Sequence, residues 1–230
     1  MIGIIGGMGP QASVELYRLL IEGAREHYGA HKNDDYPEIL IDSVPVPDFL
    51  SDTNQMEKAA LMLEERTQRL TAYGASCISI ACNTASILGD RIQKQTSVQF
   101  LSILDEVVKK ASACNKRVLL LASPTSLRLG LYQRALSHYG VLCVVPEKKY
   151  LYELEYIIRG VIEGGDRRLL KKKMVRITKN ILTNEYVDGI ILGCTELPLV
   201  FPVNYPIPVY NSLSILAESL LKRYYKKEDI

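Results

Sequence analysis

Two cysteines, Cys82 in Ala81-Cys82-Asn83-Thr84-Ala85 and Cys194 in Gly193-Cys194-Thr195-Glu196, are the residues of this chain best suited to chemistry. Each follows a short apolar run, residues 75–81 and 189–192, that reads as a buried strand. In open α/β sheets ligands sit beyond the carboxyl ends of the strands, so both thiols are expected to face a cleft. Two thiols across one substrate can act as base and acid on opposite faces of a single carbon, removing a proton from one side and returning one to the other. A free thiol with a pKa of ~8.5 is only partly ionised at neutral pH. The turns or helix starts after each cysteine are expected to supply a field that favours the thiolate. A carbanion formed beside a carboxylate needs hydrogen-bond donors there, and Asn83, Thr84, Thr195, Ser123 and Ser126 are the polar candidates. For the two serines a cap or turn role is at least as good a reading. A lone cysteine on an apolar strand is more often a packing residue; what sets this pair apart is its placement after equivalent strands.

The elements needed to position these groups alternate along the chain. Strands are expected at residues 2–5, 39–44, 75–81, 118–122, 141–145 and 189–192, with amphipathic helices between them. The helices read as a segment carrying Val14, Leu16, Leu20 and Ala24, then 54–73, 85–94, 127–138, 151–163, 167–184 and 213–225. Gly6-Gly7-Met8-Gly9-Pro10 closes the first strand, and Pro10 suits the first turn of the helix that follows. The second half runs the same course as the first. Cys82 and Cys194 are 112 residues apart, and Leu101-Ser102-Ile103-Leu104 recurs as Leu213-Ser214-Ile215-Leu216 at the same offset. The fold class expected is α/β, with two pseudo-symmetric lobes, mainly parallel sheets and an active site in the cleft between them. The first lobe takes residues 1–98 plus 212–230 and carries Cys82; the second takes 99–211 and carries Cys194.

Bulk properties narrow the partners. A net charge of +2 gives no reason to invoke nucleic acid or an acidic membrane surface. No apolar run reaches the length of a membrane span, and the N-terminal residues have no charged leader, so a cytoplasmic location is expected. The five cysteines include no C-x-x-C and have no histidine near them, which argues for reduced thiols and no metal site. Cys77, Cys114 and Cys143 read as packing residues. The basic run 167–173 reads as the solvated face of a helix.

Gly7-Met8-Gly9-Pro10-Gln11-Ala12 also fits a dinucleotide-binding G-x-G-x-x-A, with Asp42 ending the next strand. That makes a nucleotide-linked oxidoreductase one alternative, though it leaves the paired cysteines unexplained. A non-catalytic amino-acid-binding or thiol-redox protein on the same scaffold is another.

Gly6-Gly7-Met8-Gly9-Pro10, Cys82-Asn83-Thr84 and Gly193-Cys194-Thr195-Glu196, in that order, resemble the aspartate/glutamate racemase family. The resemblance spans essentially the whole chain. It implies a two-lobed α/β enzyme, often a homodimer, that racemises a small amino-acid substrate with no cofactor. By position it makes Cys82 and Cys194 the acid/base pair, puts Asn83, Thr84 and Thr195 on the α-carboxylate and amino group, and lines the pocket with Met8. The chain departs from the aspartate racemases it resembles at Phe49, which follows Pro47-Asp48 where they carry arginine. Ile162-Glu163 likewise stands where they place a lysine. Arg159, Arg128 and Gln55 are the candidates to meet the far end of a substrate instead.

Overall fold

The computed structural model describes residues 1–47 and 55–226. The expectation placed on Phe49 falls outside the described residues. The first half comprises β1 (Ile2–Gly6), α1 (Pro10–Tyr28), β2 (Ile39–Ser43), α2 (Met56–Ala72), β3 (Cys77–Ile80), α3 (Gly89–Gln93) and β4 (Gln99–Leu101). The second comprises α4 (Ile103–Ser112), β5 (Arg117–Ala122), α5 (Pro124–Leu129), α6 (Leu131–His138), β6 (Leu142–Val144), α7 (Lys148–Ile162), α8 (Arg167–Leu182), β7 (Gly189–Gly193), β8 (Val209–Asn211) and α9 (Ser212–Tyr225).

The strands form two four-stranded parallel sheets, in the order β2-β1-β3-β4 and β6-β5-β7-β8. The central strands are apolar throughout: Ile-Gly-Ile-Ile-Gly in β1 and Gly-Ile-Ile-Leu-Gly in β7 are buried at every position. That is the pattern of a parallel strand covered on both faces. In each sheet the order reverses between the two central strands, β1 and β3 or β5 and β7. The loops leaving their carboxyl ends therefore part and leave a crevice. The two crevices face each other, and the first turn of α1 contacts the second lobe directly: Gln11 Nε2 donates to the Ile162 carbonyl at 2.6 Å.

The helix that follows the last strand of each sheet packs on the other lobe. α4 packs Leu104, Val107 and Ala111 against Val118, Leu120 and Leu136 of the second lobe. α9 returns to the first, where Leu213, Leu216 and Leu220 meet Leu16 and Leu20 of α1. Residues 99–101 pair with β3 in the first sheet, so the chain leaves that sheet three residues later than the expected boundary at 99.

β4 and β8 have no counterpart among the expected strands: each is three residues long and, unlike β6 within the apolar run 141–145, lies in no longer apolar run. The repeat also differs from its sequence signature. Ser102 caps α4 and Asn211 caps α9, positions 109 residues apart, so Leu101 ends a strand whereas Leu213 lies inside a helix. The recurring tetrapeptide is not structurally equivalent; the cysteine-bearing strands are, since β3 begins at Cys77 and β7 at Gly189, 112 residues apart. The expected helix at 127–138 is two helices, α5 starting at Pro124 and breaking from α6 at Gly130, whose φ is +63°. Of the three cysteines read as packing residues, Cys77 is buried and Cys143 half-buried, but Cys114 is exposed, because it follows α4 rather than facing the core.

Candidate active site

Cys82 and Cys194 line one cavity of about 240 Å³ between the lobes, together with Gly7, Met8, Gly9, Pro10, Asn83, Thr84, Thr195 and Glu196. Cys82 leaves the end of β3 in the first sheet and Cys194 the end of β7 in the second, so the thiols enter from opposite lobes. The first loop closes tightly enough to form a third wall. Gly7 has φ +93°, and a Cβ there would stand 2.6 Å from the Val44 carbonyl oxygen, so only glycine fits.

Each cysteine loop is hydrogen-bonded to the lobe it does not belong to. On the first-lobe side, Thr84 Oγ1 lies 3.0 Å from both Ser123 Oγ and Ser126 Oγ of the second lobe. Asn83, 1% exposed, accepts from the Tyr132 hydroxyl and donates to Ser212 Oγ. On the second-lobe side, the carboxylate of Glu196 accepts from the Gly9 amide at 3.1 Å, from Thr195 Oγ1 at 3.0 Å and from Cys194 Sγ at 3.1 Å. Gly9 is the N-cap of α1, so a carboxylate from the second lobe occupies the helix terminus on which a bound dinucleotide would place its pyrophosphate. Asp42, the candidate ribose partner, faces Arg66 at 3.8 Å instead. The loop is therefore a lobe-to-lobe contact.

The electrostatics correct one expectation. Two backbone amides, of Thr84 and Ala85, do pull the Cys82 thiol down, but burial outweighs them and pushes it up to about 12. Burial also raises Cys194 well above the ordinary thiol range, and the Glu196 carboxylate adds to the rise by its charge and by accepting the S–H. Glu196 itself is 2% exposed, and burial raises it despite three donors that favour its anion. Both sulfurs thus rest as thiols.

Ser123 and Ser126 do not reach the cavity wall. Ser123 caps α5 by accepting from the Ser126 amide, and both hydroxyls stand behind Thr84. Arg128 and Gln55 are also absent from the wall, Arg128 bonding to Thr125 Oγ1 at 3.1 Å. Arg159 is on it, the only basic side chain lining the cavity among the described residues, with Nε on Glu155 at 2.9 Å. The remainder of the wall is Val46, Pro47 and Ile162. Sequence reasoning gave Glu196 no role, although its place two residues after a cysteine was the available signal.

Residues 5–220 match the sequence profile of the Asp/Glu/Hydantoin racemase family. The chain belongs to this family. It is similar to a broad-specificity amino-acid racemase of Bacillus subtilis, at 27% identity over 97% of this chain and 98% of the relative. Among solved structures, an aspartate racemase homologue from Pyrococcus horikoshii superimposes with a TM-score of 0.80 at 30% identity, covering 96% of this chain and 97% of that one. The Picrophilus torridus aspartate racemase gives 0.81 at 27%, covering 100% and 99%. No helix among the described residues of this racemase-family chain is long and apolar enough to cross a membrane.

Proposed function

We propose that this protein racemises amino acids without a cofactor, with Cys82 and Cys194 as the acid/base pair. The observation that carries this reading is that both thiols line a single cavity from opposite lobes. One sulfur must be a thiolate to take the Cα proton, and Glu196 is placed to receive the Cys194 proton at 3.1 Å. The Cys194 thiolate then takes the Cα proton from one face, and the Cys82 thiol delivers its own to the other. The enzyme is left with a Cys82 thiolate, a Cys194 thiol and a protonated Glu196, the form that serves the reverse direction. Burial works in favour of this exchange, because a desolvated thiolate is a stronger base than a hydrated one.

The substrate's two charged groups find complementary partners. Asn83 Nδ2 gives one hydrogen to Ser212 and has a second for the α-carboxylate. Thr195 spends its proton on Glu196, which leaves its oxygen lone pairs for the ammonium group. Met8, Val46, Pro47 and Ile162 accommodate the side chain, and Arg159, held on Glu155, is the basic group on the wall nearest in kind to what an acidic one needs. The substrates fall among aspartate- or glutamate-like amino acids, or a broader set. The reading includes a cytoplasmic homodimer, and sedimentation measures the oligomeric state.

The deciding experiment screens L- and D-amino acids for Cα proton exchange in deuterated water. Exchange with inversion, abolished by alkylating the thiols, is expected. Binding without exchange for every amino acid would leave only a ligand-binding role.

A further inference from the structure

Tyr132, on α6 of the second lobe, is fully buried and touches both halves of the site without lining the cavity. Its ring closes on the strand that ends at Cys194: a Cβ at Gly193 would stand 2.9 Å from Tyr132 Cε2, so that glycine makes room for it. Its hydroxyl reaches the opposite cysteine loop, 2.5 Å from Asn83 Oδ1. The other end of the Asn83 amide, Nδ2, lies 3.0 Å from Ser212 Oγ.

In this arrangement the Tyr132 hydroxyl donates to Oδ1 and Nδ2 donates to Ser212 Oγ. A side-chain amide of asparagine has two faces of opposite polarity, and only one of them helps to hold an anion. With Oδ1 tied to a hydroxyl proton, the amide turns its NH₂ end away from Tyr132, and the second N–H is left for the cavity. In the flipped orientation Oδ1 would leave Tyr132, and an acceptor would stand where a carboxylate has to bind. Burial and the nearby Cys194 keep the phenol protonated far above the ordinary tyrosine range, so it remains a donor across any working pH.

We propose that Tyr132 is a positioning residue that locks the Asn83 amide with its N–H toward the substrate carboxylate, and so sets affinity for every amino acid the enzyme accepts. The proposal rests on Asn83 holding the α-carboxylate, as argued above.

The test measures Cα proton exchange of L-aspartate, L-glutamate and L-alanine in deuterated water for the wild type, Tyr132→Phe, Asn83→Ala and the double variant. Tyr132→Phe is expected to raise KM by about tenfold on every substrate that turns over, with kcat changed much less, the signature of lost binding common to ground and transition states. In the Asn83→Ala background the same change is expected to do nothing further, because the group it orients is gone. Placing 4-aminophenylalanine at 132, which keeps the ring and restores a donor, should return KM toward the wild-type value, and 4-fluorophenylalanine, which keeps the ring and fills the hydroxyl's place without a donor, stands in for the phenylalanine variant should that not fold. An unchanged KM in Tyr132→Phe, or an effect that persists undiminished in Asn83→Ala, overturns the proposal while Asn83 keeps its role. An unchanged KM in Asn83→Ala alone overturns the carboxylate assignment and the proposal with it.

Discussion

Glu196 Oε2 lies 3.1 Å from Cys194 Sγ, and Glu196 Oε1 lies 3.1 Å from the Gly9 amide at the start of α1. One buried carboxylate therefore contacts a proposed catalytic sulfur with one oxygen and fastens the opposite lobe with the other. The cost of burying its charge is partly offset by three donors. Among the described residues Cys82 has no such acceptor; its loop supplies the amides of Ala85 and Thr84, which stabilise a thiolate once formed. The pseudo-symmetric cysteines sit in chemically unequal settings.

That inequality predicts opposite changes in two measurements. Replacing Glu196 with glutamine removes the negative charge that raises Cys194 and also removes the acceptor for its proton. Alkylation of the free enzyme by iodoacetamide, followed against pH, is expected to shift to lower pH at Cys194, since the thiol ionises more readily without the anion. Racemisation should fall by about 10²-fold or more. Parallel decline of alkylation and racemisation would show that Glu196 only supports the fold.

Cys82→Ser and Cys194→Ser are each expected to cut racemisation by about 10³-fold or more, while the melting temperature stays within a few degrees. A serine hydroxyl is a far weaker base, and the exchange of sulfur for oxygen changes little volume. The check is turnover together with a thermal melt. Near-wild-type turnover in either variant is incompatible with two-base chemistry.

The sequence was most informative where physics leaves long signals. Apolar runs such as residues 118–122 and 189–192 read as strands because a parallel sheet buries both faces, and the structure places β5 and β7 there. The meeting of Cys82 and Cys194 was legible because equivalent strands end at equivalent points of facing sheets. What stayed hidden depends on distance in sequence. Tyr132 meets Asn83 across 49 residues and Gly9 meets Glu196 across 187, and neither pair has a local pattern. The thiolate expectation failed for a related reason. A field from nearby amides is local and readable, whereas the burial that outweighs it comes with packing among residues distant in sequence, such as Ile5, Val44 and Leu63.

The raised thiols carry a stability consequence with a definite sign. The pKa of Cys82 in the fold is pushed up to about 12, above that of the unfolded chain, so between the two values the unfolded state has lost a proton that the folded state keeps. Stability is fully present below the ordinary thiol range and declines as pH rises toward 12, by up to ~1.4 kcal/mol per pH unit for one such group. Chemical denaturation between pH 8 and about 10.5 should show a steeper loss for the wild type than for Cys82→Ser. Equal slopes would mean that the thiol ionises as easily in the fold as outside it.

The last prediction concerns which side chain the cavity accepts. Phe49 stands in sequence where the aspartate racemases that this chain resembles carry arginine, and Arg159 is the only basic group on the cavity wall among the described residues. A side-chain carboxylate brought into this mostly apolar cavity without a cation would lose several kcal/mol. If the enzyme handles aspartate or glutamate, Arg159→Ala should lower kcat/KM for them by about tenfold to a hundredfold and leave neutral amino acids within about threefold. If it favours neutral amino acids, Phe49→Arg should raise kcat/KM for aspartate relative to alanine. Both arms are read from one panel of aspartate, glutamate and several neutral amino acids across the three proteins. A wild type strictly selective for aspartate and indifferent to Arg159→Ala would refute both, and would move acidic side-chain recognition away from every basic residue on the cavity wall.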